Sequence, residues 1–158
     1  PWTESLPQPS GTPVAGAVDG DDDGPMSQTA SGTFSVDISP RPPDPDTARL
    51  EQVQIRKRWS GEIEATGWGL MISGGDPAAG SAGYVAMEFL EGRVGDLVGG
   101  FALQQFGTMS NGKAHQVYEV VPGSGTGDLA GISGTLRLDL ADGTHHYALS
   151  YELPTDAG

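Results

Sequence analysis

A glutamate inside an apolar run is the first candidate for chemistry in this chain. Glu88 stands between Met87 and Phe89 in the segment YVAMEFLEG at 84–92. A buried carboxyl group is harder to ionise than a solvated one, which suits it to proton transfer at neutral pH. We therefore predict that Glu88 acts as an acid, a base or a hydrogen-bonding partner. The alternatives are a structural glutamate that is hydrogen-bonded in the interior, and an exposed glutamate if the faces of the strand are inverted.

Further polar and aromatic side chains are predicted to share the inward faces with Glu88. Tyr118 is a second candidate for catalysis because its phenol is a proton donor. Lys57 and Glu64 are predicted to form an interior ion pair that orients a polar substrate group, with a structural or solvated pair as the alternative. The remaining predicted substrate-binding residues are Trp59, Trp68, Leu103, Gln105, Tyr147 and Tyr151. Gln105 would hydrogen-bond the ligand, and ordinary core packing is the alternative for the aromatic residues.

Several other kinds of site are excluded by residue type and spacing. The chain has no cysteine, so thiol catalysis and thiolate metal sites are absent. His145 and His146 point to opposite faces of a strand and cannot share a metal ion there. The glycine-rich stretch at 123–127 lacks the GK[ST] ending of a phosphate-binding loop. We predict neither a cofactor nor a metal.

The charge of the chain limits its partners. There are 21 acidic and 8 basic side chains, which gives a formal net charge of −13. Such a field repels phosphate backbones and anionic headgroups, so nucleic acid and membrane surfaces are poor partners. No apolar run approaches the length of a membrane span. We expect a cytoplasmic protein whose partner is a small apolar molecule.

The elements that must position these residues are short strands. From Thr29 onward, alternating apolar runs and turn signals recur about every ten residues, which indicates antiparallel β-structure. The predicted strands are 32–39, 49–59, 62–72, 82–94, 97–109, 114–122, 131–141 and 144–153. Eight strands in a meander predict an all-β, closed up-and-down barrel. Its interior has room for one small ligand or for packed side chains.

Turn residues predict which residues lie opposite one another across neighbouring strands. The strongest signals are Asn111-Gly112 and Asp142-Gly143, followed by Gly95-Asp96 and then Ser60-Gly61. The Asn111-Gly112 turn sets Gln105 opposite Tyr118, and the Asp142-Gly143 turn sets Leu138 opposite Tyr147. The Gly95-Asp96 turn sets Glu88 opposite Leu103, and the Ser60-Gly61 turn sets Lys57 opposite Glu64. The central strands also carry apolar residues on the face away from Glu88, among them Val85, Met87 and Phe106. A second apolar face predicts a homo-oligomer, either a dimer or a trimer.

The N-terminal segment differs from the rest of the chain. Residues 1–28 hold five prolines and five acidic residues and lack apolar periodicity. We predict an acidic tail at 1–28, a barrel domain at 29–154 and a short C-terminal end at 155–158. The tail is either a disordered, solubilising arm or a lid with Trp2 as its anchor in the cavity mouth.

The stretches YVAMEFLEG (84–92), FALQQFGT (101–108) and VVPGSGTGDLAGISG (120–134) resemble a bacterial domain-of-unknown-function family. RKRWSGEIEATG (56–67) and HHYALSYELP (145–154) fit the same family. The resemblance covers roughly residues 30–154 and implies an allene-oxide-cyclase-like eight-stranded β-barrel. Related barrels cyclise or isomerise small apolar molecules without metal or nucleotide. Relatives often carry a histidine where this chain has Gln105, which removes one candidate proton carrier.

Three hypotheses of function follow from these residues and the barrel that holds them. The first is a cofactor-independent cyclase or isomerase that acts on a small, largely apolar metabolite in the barrel cavity. The second is a carrier or sensor that uses the same cavity without catalysis. The third is a packed barrel without a cavity that acts through its oligomer surface. A cavity above about 300 Å³ near Glu88 separates the first two hypotheses from the third.

Overall fold

The computed structural model describes residues 27–155, which form an all-β barrel. Eight long strands agree with the eight predicted strands, and a ninth, two-residue strand was not predicted. The strands are β1 (Gln28–Pro40), β2 (Glu51–Gly61), β3 (Ile63–Asp76), β4 (Ser81–Val94), β5 (Leu97–Ser110), β6 (Lys113–Val120), β7 (Thr126–Gly127), β8 (Ser133–Ala141) and β9 (Thr144–Glu152). Two single-turn 3-10 helices, Pro45–Thr47 and Pro77–Ala79, lie in the connections. The predicted lid residue Trp2 and the tail up to residue 26 lie outside the described residues.

The long strands close into the predicted antiparallel barrel. Neighbours in the chain pair with one another from β1 to β6 and again from β8 to β9, and β1 pairs with β9. A single pairing, Glu119 with Thr135, joins β6 to β8. The short β7 adds to β5 through Gly99 and Gly100. Closure removes most exposed sheet edges and creates one interior toward which alternate residues of every strand point.

Two of the predicted turns hold the register as expected. Asn111 and Asp142 adopt positive φ angles of 51° and 52°, and the glycine after each follows at 76° and 75°. Tight hairpin turns require this left-handed backbone at both central positions. The three better-signalled hairpins therefore have the predicted register, with Gln105 opposite Tyr118, Leu138 opposite Tyr147 and Glu88 opposite Leu103.

The predicted register of the β2–β3 hairpin is wrong. Lys57 pairs with Gly67 rather than with Glu64, because β2 continues to Gly61 and the connection turns at Glu62. The backbone N–H of Glu62 donates to the carbonyl of Ser31 on β1, which holds the longer turn in place. The shift is three residues, an odd number, so every side chain of β3 lies on the opposite face from the prediction.

One half of the barrel interior is filled with packed side chains. The largest fully buried residues are Trp59, Ile63, Leu90, Phe101, Leu103, Leu129, Ile132 and Leu149. Leu129 and Ile132 belong to the connection between β6 and β8, which the glycines at 123–127 allow to fold tightly. A Cβ atom on Gly125 would lie 2.0 Å from the carbonyl oxygen of Leu129. This glycine-rich connection therefore closes one end of the barrel.

Candidate functional site

Three buried polar side chains meet inside the barrel at the edge of the packed half. Lys57 on β2 donates from Nζ to Glu88 Oε1 on β4 at 2.7 Å and to the hydroxyl of Tyr118 on β6 at 2.9 Å. The Tyr118 hydroxyl donates in turn to the same Glu88 oxygen. Each residue is less than one-tenth exposed. We call Lys57, Glu88 and Tyr118 the interior ionic cluster.

Aromatic rings surround the ammonium group of this cluster. Lys57 Nζ lies 4.5 Å from the ring centre of Phe34, 5.3 Å from that of Tyr118 and 5.5 Å from that of Trp59. The negative faces of aromatic rings attract a cation most strongly where water is excluded. These contacts and the carboxylate together offset the desolvation of the buried lysine.

Two glycines of β3 make room for the cluster. Gly67 lies opposite Lys57 and Gly69 lies opposite Glu88. A Cβ atom on Gly67 would lie 2.7 Å from Glu88 Oε2 and 3.2 Å from the indole nitrogen Nε1 of Trp59. Both of these buried atoms lack a hydrogen-bond partner among the described residues. The carboxylate thus occupies space that any larger residue at position 67 would take.

The other half of the interior is a small, mainly apolar cavity, with the Lys57 side chain in its lining. The volume that a water molecule can reach is about 60 Å³. The lining residues are Phe34, Val36, Ile38, Ile55, Lys57, Met71, Tyr84, Gln105, Leu138 and His145. At about 30 Å³ per molecule this volume holds about two waters, and it is smaller than the roughly 300 Å³ of an ordinary ligand pocket, so it takes in only part of a small ligand.

Tyr84 and Gln105 form a polar contact in the cavity wall. The Tyr84 hydroxyl accepts hydrogen bonds from the side-chain nitrogens of Gln105 at 2.6 Å and Gln116 at 2.7 Å. Burial raises the pKa of Tyr84, and these hydrogen bonds offset part of that effect. Burial raises the pKa of Tyr118 well above its ordinary value, and the nearby Glu88 charge adds to the shift. Both phenols therefore keep their protons at neutral pH.

His145 brings an imidazole that is neutral at pH 7 into the lining. Its ring stacks on Phe34 with a centroid distance of 5.0 Å and an interplanar angle of 12°. Burial lowers the pKa of His145, and the positive charge of Lys57 lowers it further. A neutral imidazole beside an ammonium group gives the cavity both a proton acceptor and a cation.

The structure separates the predicted site residues of the described part of the chain into four groups: cavity lining, contacts of Lys57, packed core and outer surface. Lys57 and Gln105 line the cavity, and Glu88 and Tyr118 contact Lys57 without belonging to the lining. Four residues lie in the packed core instead of the lining: Trp59, Leu103, Tyr147 and Tyr151.

Two of these core residues have structural hydrogen bonds. The Tyr147 hydroxyl accepts from the backbone N–H of Ile63 at 2.9 Å and donates to the carbonyl of Ser60 at 2.9 Å, so it fastens the β2–β3 turn. Tyr151 donates to the side-chain oxygen of Gln28 at 3.3 Å. Both phenols are engaged with the backbone or with β1 and do not face the cavity.

Glu64 and Trp68 lie on the outside of the barrel, so their predicted interior roles are wrong. Trp68 is 46 % exposed, and Glu64 is exposed and accepts a hydrogen bond from the backbone N–H of Gly61. The odd register shift of β3 turns both side chains away from the interior. The partner of Lys57 is Glu88 and not Glu64.

Sequence reasoning missed most of the lining. The missed residues are Phe34, Val36, Ile38, Ile55, Met71, Tyr84, Leu138 and His145. Their inward direction follows from strand alternation, which puts Tyr84 on the same face as Glu88 and Ile55 on the same face as Lys57. The missing information is the position along the strands at which packing ends and the cavity begins.

The described part of the chain was also searched for metal-binding groups and for membrane-spanning helices. Within residues 27–155, no group of three or more histidine, aspartate or glutamate side chains is arranged to hold a metal ion. No helix in this described part of the chain has the length and hydropathy of a membrane span.

The fold and the site define a small antiparallel β-barrel with one packed end and an internal cavity at the other. Residues 30–151 match the family described as "Protein of unknown function (DUF3224)", and the chain belongs to this family. This confirms the membership in a domain-of-unknown-function family that the sequence motifs indicated.

The chain is also similar to a solved structure of a protein of unknown function of the DUF3224 family from Shewanella oneidensis MR-1. The two share 34 % sequence identity over 82 % of this chain and 99 % of that one, with a TM-score of 0.76. The comparison with curated proteins finds no match.

Proposed function

We propose that this protein binds a small, largely apolar molecule in the open half of its barrel, with the Lys57 ammonium group as the main polar contact. The observation that carries this proposal is the composition of the cavity wall. Six apolar aliphatic or aromatic side chains surround one buried cation and a few neutral polar groups. Apolar walls with a small number of placed polar groups are typical of small-molecule sites.

Electrostatics favour an uncharged ligand with one acceptor oxygen. The positive charge of Lys57 is already balanced by Glu88 at 2.7 Å, so an anionic ligand would add an uncompensated charge to a water-poor interior. The net charge of −13 also repels anions from the protein. A neutral ketone, aldehyde or ether can accept a hydrogen bond from Lys57 without that cost.

A matched series of probes tests this proposal. Cyclohexanone, methylcyclohexane and cyclohexanecarboxylate have similar ring sizes but differ in acceptor oxygen and charge. We expect cyclohexanone to bind best, with a dissociation constant of about 1 mM for so few heavy atoms, as measured by methyl chemical shifts. Equal or stronger binding of the carboxylate contradicts the proposed ligand class.

A pair of matched variants locates the binding. Val36→Phe fills the cavity from its wall, whereas Val98→Phe places the same side chain on the outside, where Val98 is 61 % exposed. We expect cyclohexanone binding to be lost in the first variant and retained in the second. Retained binding in a folded Val36→Phe protein places the probe elsewhere and overturns the proposal.

A cofactor-independent isomerase that moves a proton next to a carbonyl group is the second candidate. The specific support is that Lys57 and His145 line the same cavity, the first as a cation and the second with a lowered pKa. Lys57 would stabilise the developing enolate oxygen while neutral His145 accepts the α-proton and returns it to another carbon. Glu88 and Tyr118 would act as positioning residues that hold Lys57 and do not touch the substrate.

Deuterium exchange separates the two candidates. An isomerase of this kind exchanges the α-protons of bound cyclohexanone with deuterated solvent, and His145→Gln abolishes exchange while binding remains. The lowered pKa of His145 keeps this base neutral somewhat below pH 6.5, so exchange persists there. Binding without exchange above the solution rate favours a carrier or sensor.

A further inference from the structure

The outer surface of three neighbouring strands carries an unusual concentration of apolar side chains. Trp68 lies opposite Phe89, Leu70 opposite Met87, and Ile72 opposite Val85 across β3 and β4. On the other side of β4, its three residues Phe89, Met87 and Val85 lie opposite Ala102, Gln104 and Phe106 of β5, in that order. We call these nine residues, in three rows of three, the outer patch. None of the nine is charged.

The outer patch is exposed and larger than a monomer ordinarily carries. Its seven large apolar side chains are each between 38 % and 55 % exposed. Together they present on the order of 700 Å² of accessible surface, which approaches the roughly 800 Å² per partner of a standard protein interface. The largest apolar patch on a typical monomer covers only about 300–600 Å².

From this surface we infer that two copies of the chain associate face to face through their outer patches. A chain with a net charge of −13 resists self-association wherever its acidic surface is brought together. The outer patch is the uncharged area where two copies approach without that repulsion. Packing of one sheet on another at a spacing of about 10 Å is the ordinary way to bury such a face.

The charges at the two margins of the outer patch select one arrangement. Exposed Arg56 on β2 lies beside Trp68 at one margin, and Glu119 on β6 lies beside Gln104 at the other. A two-fold axis parallel to the strands places the β6 margin of one copy over the β2 margin of its partner, so Arg56 and Glu119 face each other twice, offset by one row, about 7 Å, along the strands. An axis perpendicular to the strands would instead place each β2 margin over the partner's β2 margin, so residues of like charge would share a margin.

The shape of the surface agrees with this arrangement. A groove of about 790 Å³ runs along the outside from Asp37 and Arg56 to Met87 and Phe89. This groove lies over the β2 side of the outer patch. Under the two-fold axis described, the β5–β6 margin of one copy lies over this groove in the other. The interface is therefore isologous, and each copy supplies both the groove and the margin that covers it.

Sedimentation equilibrium of the full chain tests the inference. We expect a mass twice the 16.3 kDa of one chain at concentrations on the order of 100 µM. Met87→Lys, at the centre of the outer patch, should weaken the dimer about 100-fold or more, because it buries two like charges. Val98→Lys replaces a more exposed apolar residue outside the outer patch and should leave the dimer unchanged.

A charge-swap series tests the orientation of the two copies. Arg56→Glu and Glu119→Arg should each weaken association, and the double variant should restore it. A wild-type chain that remains monomeric overturns the inference, as does equal weakening by Met87→Lys and Val98→Lys in folded proteins. Binding of a monomeric wild type to anionic or neutral lipid vesicles through the outer patch overturns it as well. Near-ultraviolet circular dichroism of each variant confirms that the barrel is folded.

Discussion

Replacement of Lys57 by methionine should destabilise the barrel strongly, because it leaves the Glu88 carboxylate buried without its cation. The two charged atoms are 2.7 Å apart and both residues are less than one-tenth exposed. At an effective dielectric constant of about 20, a pair at this separation has a gross attraction of about 6 kcal/mol, most of which is offset by desolvation. Removing one member of a buried pair typically costs about 3–5 kcal/mol.

A loss of this size is large beside the total stability of a domain, which is about 5–15 kcal/mol. The assay is equilibrium unfolding in urea at one protein concentration, followed by tryptophan fluorescence, to which Trp59 contributes from a position next to Lys57. Lys113→Met removes an exposed lysine and should leave the unfolding midpoint unchanged. In the double variant Lys57→Met/Glu88→Gln, the loss should be smaller than the sum of the single losses by about 1–3 kcal/mol.

A Lys57→Met protein that unfolds at the same urea concentration as the wild type would refute the stabilising role of this ion pair. Simple addition of the two single losses in the double variant would refute it too, because additivity would mean that Lys57 and Glu88 do not interact. A change in the slope of the transition without a change in midpoint would point to the denatured state instead of the ion pair.

Three further predictions concern the same region. The pKa of His145 is lowered in the folded protein, so the unfolded chain binds a proton there more readily, and stability should fall as the pH drops below about 6.5. His145→Gln should weaken this pH dependence, whereas His146→Gln, at an exposed position, should not. Urea titrations at several pH values measure the dependence. Gly67→Ala should cost about 1–3 kcal/mol through contact with the buried carboxylate, whereas Gly83→Ala meets no atom closer than 3.5 Å and should be tolerated in thermal unfolding. Tyr118→Phe removes a donor to a buried acceptor and should lower the free energy of unfolding by about 1–3 kcal/mol in urea.

Local sequence signals are enough to predict the strands, the closed barrel and three of the four hairpin registers. Asn111 and Asp142 stand at turn positions that need positive φ, and each is followed by glycine, so the turn chemistry determines the pairing. The β2–β3 turn has no such local signal. Its geometry depends on contacts with distant strands, from Glu62 to Ser31 and from Ile63 to Tyr147, which no short sequence window contains.

The candidate site is predictable in part for the same reason. Glu88 and Tyr118 have the predicted inward direction because the hairpins that carry them have strong turns. Lys57 also lies inside as predicted, but its predicted partner depended on the one register that is wrong. The boundary between packed core and cavity could not be predicted, because it depends on how Leu129 and Ile132 fill one end of the closed barrel.

The most direct test of the proposed binding site is the position of a bound molecule within the barrel. Intermolecular nuclear Overhauser effects between cyclohexanone and isotope-labelled methyl groups report this position at atomic resolution. We predict contacts with the methyl groups of Ile38, Ile55, Met71 and Leu138, which line the cavity around Lys57. Contacts with Val85 and Met87 on the outer face instead, or none with any cavity methyl group under saturating probe, would contradict the proposed site.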